Sequence, residues 1–411
     1  MTEDTLKVSS FEELGVAADL VATLAATGIT LPFPIQTLAI PDALAGRDVC
    51  GQAQTGSGKT IAFGIPLVER TKPGRPSAPR GLVLVPTREL CLQVAAEVDR
   101  FAAARGLGLA AIYGGAPMHA QIKKVRDAAI VVATPGRLID MADRRHLSLE
   151  DVTTVVIDEA DQMADMGFLP QVHAVMRLVG GGHQTMLFSA TLDGAVASLI
   201  RSYMTDPVRF EADAGDEMAD HQEHRFLQVH YMDKPRVVAA IANAVSRTLV
   251  FVGTKRNADR VSEDLRKEGV DAVAIHGDRQ QSDREKALGR FSSGDLAVLV
   301  ATNVASRGLH IDDVDVVIHY DPPDDYKSFI HRSGRTARAG QEGLVVTLVE
   351  WDQIEDVQRL QRASGLHQEI VKMFSNDPRL ADLVGFEPGK VEFKRASDAD
   401  LSRRAGRRRR R

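Results

Sequence analysis

Nine short segments of almost unbroken β-branched and aliphatic residues decide what this chain can become. The first half holds GLVLVP (81–86), AIVVAT (129–134), TVVID (154–158) and TMLFSA (185–190). The second holds TLVFVGT (248–254), DAVAIHG (271–277), LAVLVAT (296–302), VDVVIHY (314–320) and LVVTLVE (344–350). A strand with one wet face alternates apolar and polar residues, whereas a strand apolar throughout must be covered on both faces. Longer helical patterns separate the segments, so parallel sheets built from strand–helix–strand crossovers are expected. The polar, acidic stretch EADAGDEMADHQEH (211–224) parts the two blocks and reads as a linker. The fold class expected is α/β, with two tandem doubly wound parallel-sheet domains over 1–210 and 225–365. Residues 366–411 read as a C-terminal extension. With 411 residues the chain is too long for one ordinary core and comfortable for two.

Charge and composition narrow the setting. The formal net charge is −5, yet RRAGRRRRR (403–411) holds seven arginines, leaving 44 basic against 56 acidic residues elsewhere. An acidic body with a basic tail suggests an anionic partner met through the tail and a local groove; a merely solubilising tail is the other reading. The opening MTEDTLKVSS has no basic stretch followed by an apolar core, and no apolar run approaches the ~18 residues that span a bilayer. Cys50 and Cys91 can form neither a disulfide framework nor a zinc site, and His183, His276, His319 and His331 lack metal-ligand spacing. A cytoplasmic monomer without a membrane partner is expected. Trp351 and the other sparse aromatics read as packing residues.

In doubly wound sheets ligands sit beyond the carboxyl ends of the strands, and the unusual polar sequences lie there. AQTGSGKT (Ala53, Gln54, Thr55, Gly56, Ser57, Gly58, Lys59, Thr60) precedes an apolar helical pattern. Its glycines let backbone N–H groups turn inward around phosphates at a helix N-terminus, Lys59 would reach the β- and γ-phosphates, and Thr60 would bind Mg²⁺. Ala53 stands where the strict pattern has Gly; a Gly-rich turn capping an ordinary helix is the bland alternative. In VVIDEAD (155–161) the strand delivers Asp158 to its end, where a carboxylate can hold Mg²⁺, and Glu159 can deprotonate an attacking water. Taken alone, a DE pair after a strand is a solvated helix start. In HRSGRTARAG (331–340) Arg335 and Arg338, three apart and hence on one helical face, could reach a γ-phosphate across a cleft. A basic face turned to solvent or to RNA is the alternative.

With those residues in hand, the chain resembles a DEAD-box RNA helicase over nearly all of residues 11–350. The ordered motifs are Phe11, GITLPFPIQ (28–36), AQTGSGKT, PTREL (86–90), Gly114-Gly115, TPGR (134–137), DEAD (158–161) and SAT (189–191). FVGT (251–254), QSDR (281–284), ATNVASRGLHI (301–311) and HRSGRTARAG follow. The resemblance implies RecA-like domains and ATP hydrolysis coupled to local separation of short RNA duplexes. Gln36 would read the adenine edge and Phe11 would pack near the base. Asp161, Ser189, Thr191 and His331 would couple the phosphate site to RNA. Thr87, Arg88, Gly115, Thr134, Arg137, Gln281, Arg284 and Thr302 would contact the RNA backbone, without reading sequence.

The chain departs from the family's pattern at Ile29, Phe33, Asn303 and His310, and more mildly at Ser333 and Ala337. None of these is a phosphate, metal or arginine-finger position. An ATP-gated RNA clamp with little unwinding, and a DNA-directed helicase with a related core, remain as alternatives.

Overall fold

Two seven-stranded sheets carry the chain, each wholly parallel among the described residues. The computed structural model describes residues 10–53, 57–192, 194–211, 222–303, 314–336 and 343–385, and the backbone alone of Gln281 and Lys327. The first sheet comprises β1 (Val49–Gln52), β2 (Gly81–Leu84), β3 (Leu109–Ile112), β4 (Ile130–Ala133), β5 (Thr154–Asp158), β6 (Gln184–Ser189) and β7 (Val208–Glu211). Their spatial order is β3-β4-β2-β5-β6-β1-β7. The second comprises β8 (Gln222–Gln228), β9 (Thr248–Val252), β10 (Ala272–Ile275), β11 (Val298–Thr302), β12 (Val316–His319), β13 (Gly343–Val349) and β14 (Ile370–Lys372). Its order is β10-β11-β9-β12-β13-β8-β14, the first sheet's order with seven added to every label. The two domains are topological copies.

The continuous apolar strands are explained by where their alternate residues go. Val83, Val132, Val156 and Met186 enter one core, while Leu82, Leu84, Val131, Val155, Ile157 and Leu187 enter another on the opposite face. The second sheet divides likewise, with Val250, Val300 and Ile318 on one side and Leu249, Leu299 and Val317 on the other. Each sheet is thus a central layer between two layers of helices, as doubly wound folds require.

Five strands lie outside the expected set: β1, β3, β7, β8 and β14. Three of them, β3, β7 and β14, are sheet edges. The polar strand QEHRFLQ begins at Gln222, so residues 222–224, read as linker, pair with β13 in the second sheet. Ile370–Lys372 likewise extends that sheet beyond residue 365. Trp351, expected to pack, is 76% exposed just after β13. The arginine-rich tail lies outside the described residues. Among the described residues no helix is long and apolar enough to cross a membrane.

Candidate active site

β1, β6 and β5 are consecutive neighbours in the first sheet, and their carboxyl ends bring together three motifs. At the end of β1 the Ala53 N–H donates to the Ser189 carbonyl at 2.9 Å. The chain turns into helix Lys59–Arg70 through Gly58, whose φ of +83° favours glycine. A Cβ there would stand 2.3 Å from the Gln36 amide nitrogen, so the position needs glycine twice over. Lys59 is buried and its ammonium donates to the Ala53 carbonyl at 3.0 Å. Thr60 is half-buried one residue further into the helix. Gln54, Thr55 and Gly56 lie outside the described residues.

Gln36 joins this loop to the chain ahead of it. Its Oε1 accepts from the Phe33 N–H at 2.9 Å, and its Nε2 donates to the Gly58 carbonyl at 3.0 Å. The side chain is fully buried, while Phe33 beside it is half exposed. Phe11 is buried in the first domain's core, and the partly buried Ile29 packs against that same core.

Asp158 closes β5 and is buried, with its Oδ1 accepting from the Glu159 N–H at 2.9 Å. Burial pushes the Asp158 carboxyl up to about 7; the Lys59 ammonium opposes this and the Glu159 carboxylate adds to it. Glu159 has a φ of +51°, a left-handed conformation that costs a non-glycine residue about 1–3 kcal/mol. That turn lets helix Ala160–Asp165 start at once, leaving Glu159 buried beside Asp158 instead of continuing the strand. The Ser189 hydroxyl, at the end of β6, accepts from the Asp161 N–H at 3.2 Å and the Thr191 N–H at 3.4 Å. Ser189 therefore touches Ala53 through its carbonyl and the DEAD turn through its side chain.

The second domain reaches this site through helix Tyr326–Ser333, where His331 Nε2 stands 3.8 Å from Asp161 Oδ2. Arg335 is buried, but the helix ends at Ser333 and Arg335 sits in the turn beyond it. The expectation that Arg335 and Arg338 share a helical face therefore fails for Arg335; Arg338 lies outside the described residues. Arg332 donates to Asn303 Oδ1 at 2.6 Å and to the Asp321 carbonyl at 2.8 Å. Asn303 thus receives a buried guanidinium, a use that sequence reading missed. His310 and Ala337 fall outside the described residues.

A second group of expected residues is divided between the two domains, and Arg88 and Arg284 among them reach across the junction. Thr87 caps helix Arg88–Ala104, its hydroxyl accepting from the Leu90 N–H at 3.2 Å. Arg88 lies 4.9 Å from the Tyr113 ring centre, and Gly115, at a φ of +77°, is next to it. Arg137 donates to the Ala116 carbonyl at 3.0 Å, and Gln121 braces both sides by bonding Tyr113. Thr134 is half-buried ahead of helix Pro135–Asp143. Across the junction, Arg284 sits on helix Gln281–Ser292 and Thr302 is buried at the end of β11.

Sequence and fold comparisons agree on the origin of this arrangement. The DEAD/DEAH box helicase family model matches residues 33–199, and the helicase conserved C-terminal domain matches residues 233–340. The chain is 38% identical over 358 residues to the DEAD-box ATP-dependent RNA helicase CshA of Bacillus cereus, covering 86% of this chain and 68% of that protein. Against CshA of Geobacillus kaustophilus it is 38% identical over 368 residues, covering 89% and 79%. The chain belongs to the DEAD-box helicase family. The structure of S. cerevisiae Dbp5 bound to RNA and ADP BeF3 matches this DEAD-box helicase with a TM-score of 0.80 at 28% identity, covering 89% of this chain and 96% of that one. A DEAD box protein from the hyperthermophile Methanococcus jannaschii matches with a TM-score of 0.52 at 34% identity, covering 89% and 99%. The DEAD-box helicase also holds two residues across its domain junction to which the motifs assigned no role: Glu89, within PTREL, and Glu285, just past QSDR. They follow Arg88 and Arg284 directly in sequence. Only the identical Arg-Glu pairs could have hinted at them.

Proposed function

We propose that this ATP-dependent RNA helicase cleaves ATP at the carboxyl ends of β1, β5 and β6 and links each turnover to closing its two domains on one RNA strand. The observation that carries the reading is the convergence of Lys59, Asp158 and Glu159 on one buried point, with His331 of the second domain beside Asp161. The domain division that suits it is 1–210 and 225–365, with the second domain extended to take in β8 from residue 222 and the edge strand β14 at 370–372.

In this reading residues 53–60 cradle the phosphates through backbone N–H groups, with Lys59 as the cation among them. The residues fit a divalent cation: a buried carboxylate whose charge burial disfavours regains it beside a positive ion. Asp158 and Thr60 would hold Mg²⁺, which when bound offsets charge on the phosphates. Glu159 takes the proton of the attacking water, held in place by its left-handed turn. Arg335 and Arg338 complete the site from the second domain and steady the charge of the transferring phosphoryl group. Asp161, Ser189, Thr191 and His331 relay closure to the RNA side. There Thr87, Arg88, Gly115, Thr134, Arg137, Gln281, Arg284 and Thr302 hold sugar-phosphate, with little sequence preference. Two buried free cysteines suit a reducing cytoplasm.

The direct test measures phosphate release with and without single-stranded RNA, alongside separation of a short duplex. RNA should raise release severalfold or more, and ATP should be required for separation. Release indifferent to RNA would rule out the coupling.

Two further outcomes follow from single features. An amide can pair with both the N6 donor and the N7 acceptor of adenine, a pattern guanine lacks. Gln36→Glu keeps an acceptor for Phe33 and removes the donor, so the preference for ATP over GTP should fall by about tenfold or more, from ~1–3 kcal/mol of discrimination. An unchanged ratio of kcat/KM for the two nucleotides would remove Gln36 from base reading. Deleting residues 403–411 should raise the RNA concentration for half-maximal ATPase at low salt and leave maximal turnover alone, because seven clustered arginines neutralise phosphates without being part of the proposed catalytic set. The gap should close at high salt, and identical RNA dependence at every salt concentration would mark the tail as solubilising only.

A further inference from the structure

Two Arg-Glu pairs face each other across the domain junction. Arg88 Nη2 donates to Glu285 Oε1 at 2.7 Å, and Arg284 Nη2 stands 3.4 Å from Glu89 Oε1. The first pair joins residues 197 positions apart. Each dipeptide thus gives its arginine to the other domain's glutamate and its glutamate to the other domain's arginine. The Arg284 and Glu89 side chains are only 16% and 17% exposed, so the inner bridge is sheltered from solvent. The outer bridge is wetter, with the Glu285 side chain 52% exposed.

We infer that Glu89 and Glu285 form a reciprocal latch that favours domain closure before RNA arrives and positions Arg88 and Arg284 for the strand. The inference rests on the reading of Arg88 and Arg284 as RNA-backbone contacts. Both bridges exist only while the domains are together, so their free energy belongs to the closed state alone. A ligand that binds the closed state is then helped by whatever the latch contributes, and the help is reciprocal. Glutamate also fixes the guanidinium planes, since a carboxylate and a fork of N–H donors match in geometry. Neither carboxylate belongs to the residues proposed to hold or cleave ATP, so both act as positioning residues.

Simple charge attraction predicts the opposite sign, which makes the latch testable. Glu89→Gln with Glu285→Gln leaves the protein two charges less negative than its −5 and should by that alone draw RNA in more tightly. The latch instead predicts a lower closed fraction with a non-hydrolysable ATP analogue and no RNA, read as energy transfer between dyes on the two domains. It also predicts a rise of roughly tenfold in the single-stranded RNA needed for half-maximal ATPase. Maximal turnover at saturating RNA should change by less than about twofold, as for loss of closure energy without loss of chemistry. Glu285→Gln alone, at the more exposed position, should move both readouts the same way by a smaller factor and guards against a folding defect. An unchanged closed fraction would overturn the latch. So would a fall in the RNA requirement, which would show the carboxylates competing with phosphate for the arginines. Because the energy-transfer measurement needs no turnover, it separates failure of the latch from failure of the catalytic reading.

Discussion

Glu159→Gln is expected to lower ATP turnover by about 10²–10⁴-fold, the range general base catalysis contributes, while ATP and RNA still bind. The amide has nearly the volume of the carboxylate, and Glu159 is buried, so the packing around it should survive. The hydrogen bond to Asp158 comes from the Glu159 backbone N–H, which the substitution leaves in place. What is lost is the acceptor for the water's proton. Retention of RNA in the presence of ATP, measured beside single-turnover phosphate release, checks both halves of the expectation. Near-normal release would take Glu159 out of its role, and loss of nucleotide binding would mean that it helps to hold the phosphates.

Arg335→Lys should cost about 10³-fold in RNA-stimulated turnover if Arg335 meets the transferring phosphoryl group, the lower end of what an arginine finger supplies. Lysine keeps the charge and loses the planar fork of donors. ATP affinity of the first domain alone should change little if, as proposed, Lys59 and residues 53–60 hold the ground-state phosphates. Arg335 is buried in a turn, so the thermal midpoint of the variant must be measured as well. A lowered midpoint with full turnover at saturating RNA would make Arg335 a packing residue and remove it from catalysis.

The sites that local sequence revealed are those whose chemistry is itself local. A phosphate loop needs consecutive backbone N–H groups at one helix start, so residues 53–60 stand out as the candidate for one. Asp158 and Glu159 stand out because an apolar strand ends abruptly in charge. Weak strands escaped for the converse reason. β3 and β7 alternate in burial at sheet edges, β14 is three residues long, and β8 is rich in polar side chains. None is a continuous apolar run, since only strands covered on both faces must be. Arg335 was placed on a helix by its spacing from Arg338, but helix ends are set by capping and neighbouring packing, which spacing does not contain.

Sequence by itself determined the parallel α/β class and the two blocks, and it singled out the residues proposed to hold phosphate and metal, because each depends on patterns within a few residues. Tertiary structure decided the rest. It made the second sheet a strand-for-strand copy of the first, and it enlisted Gln36 to brace Gly58 and Asn303 to receive Arg332. It also joined Arg88 to Glu285 across 197 residues. Such partners are chosen by how domains meet, and a linear sequence carries no period or motif for a contact between residues so far apart.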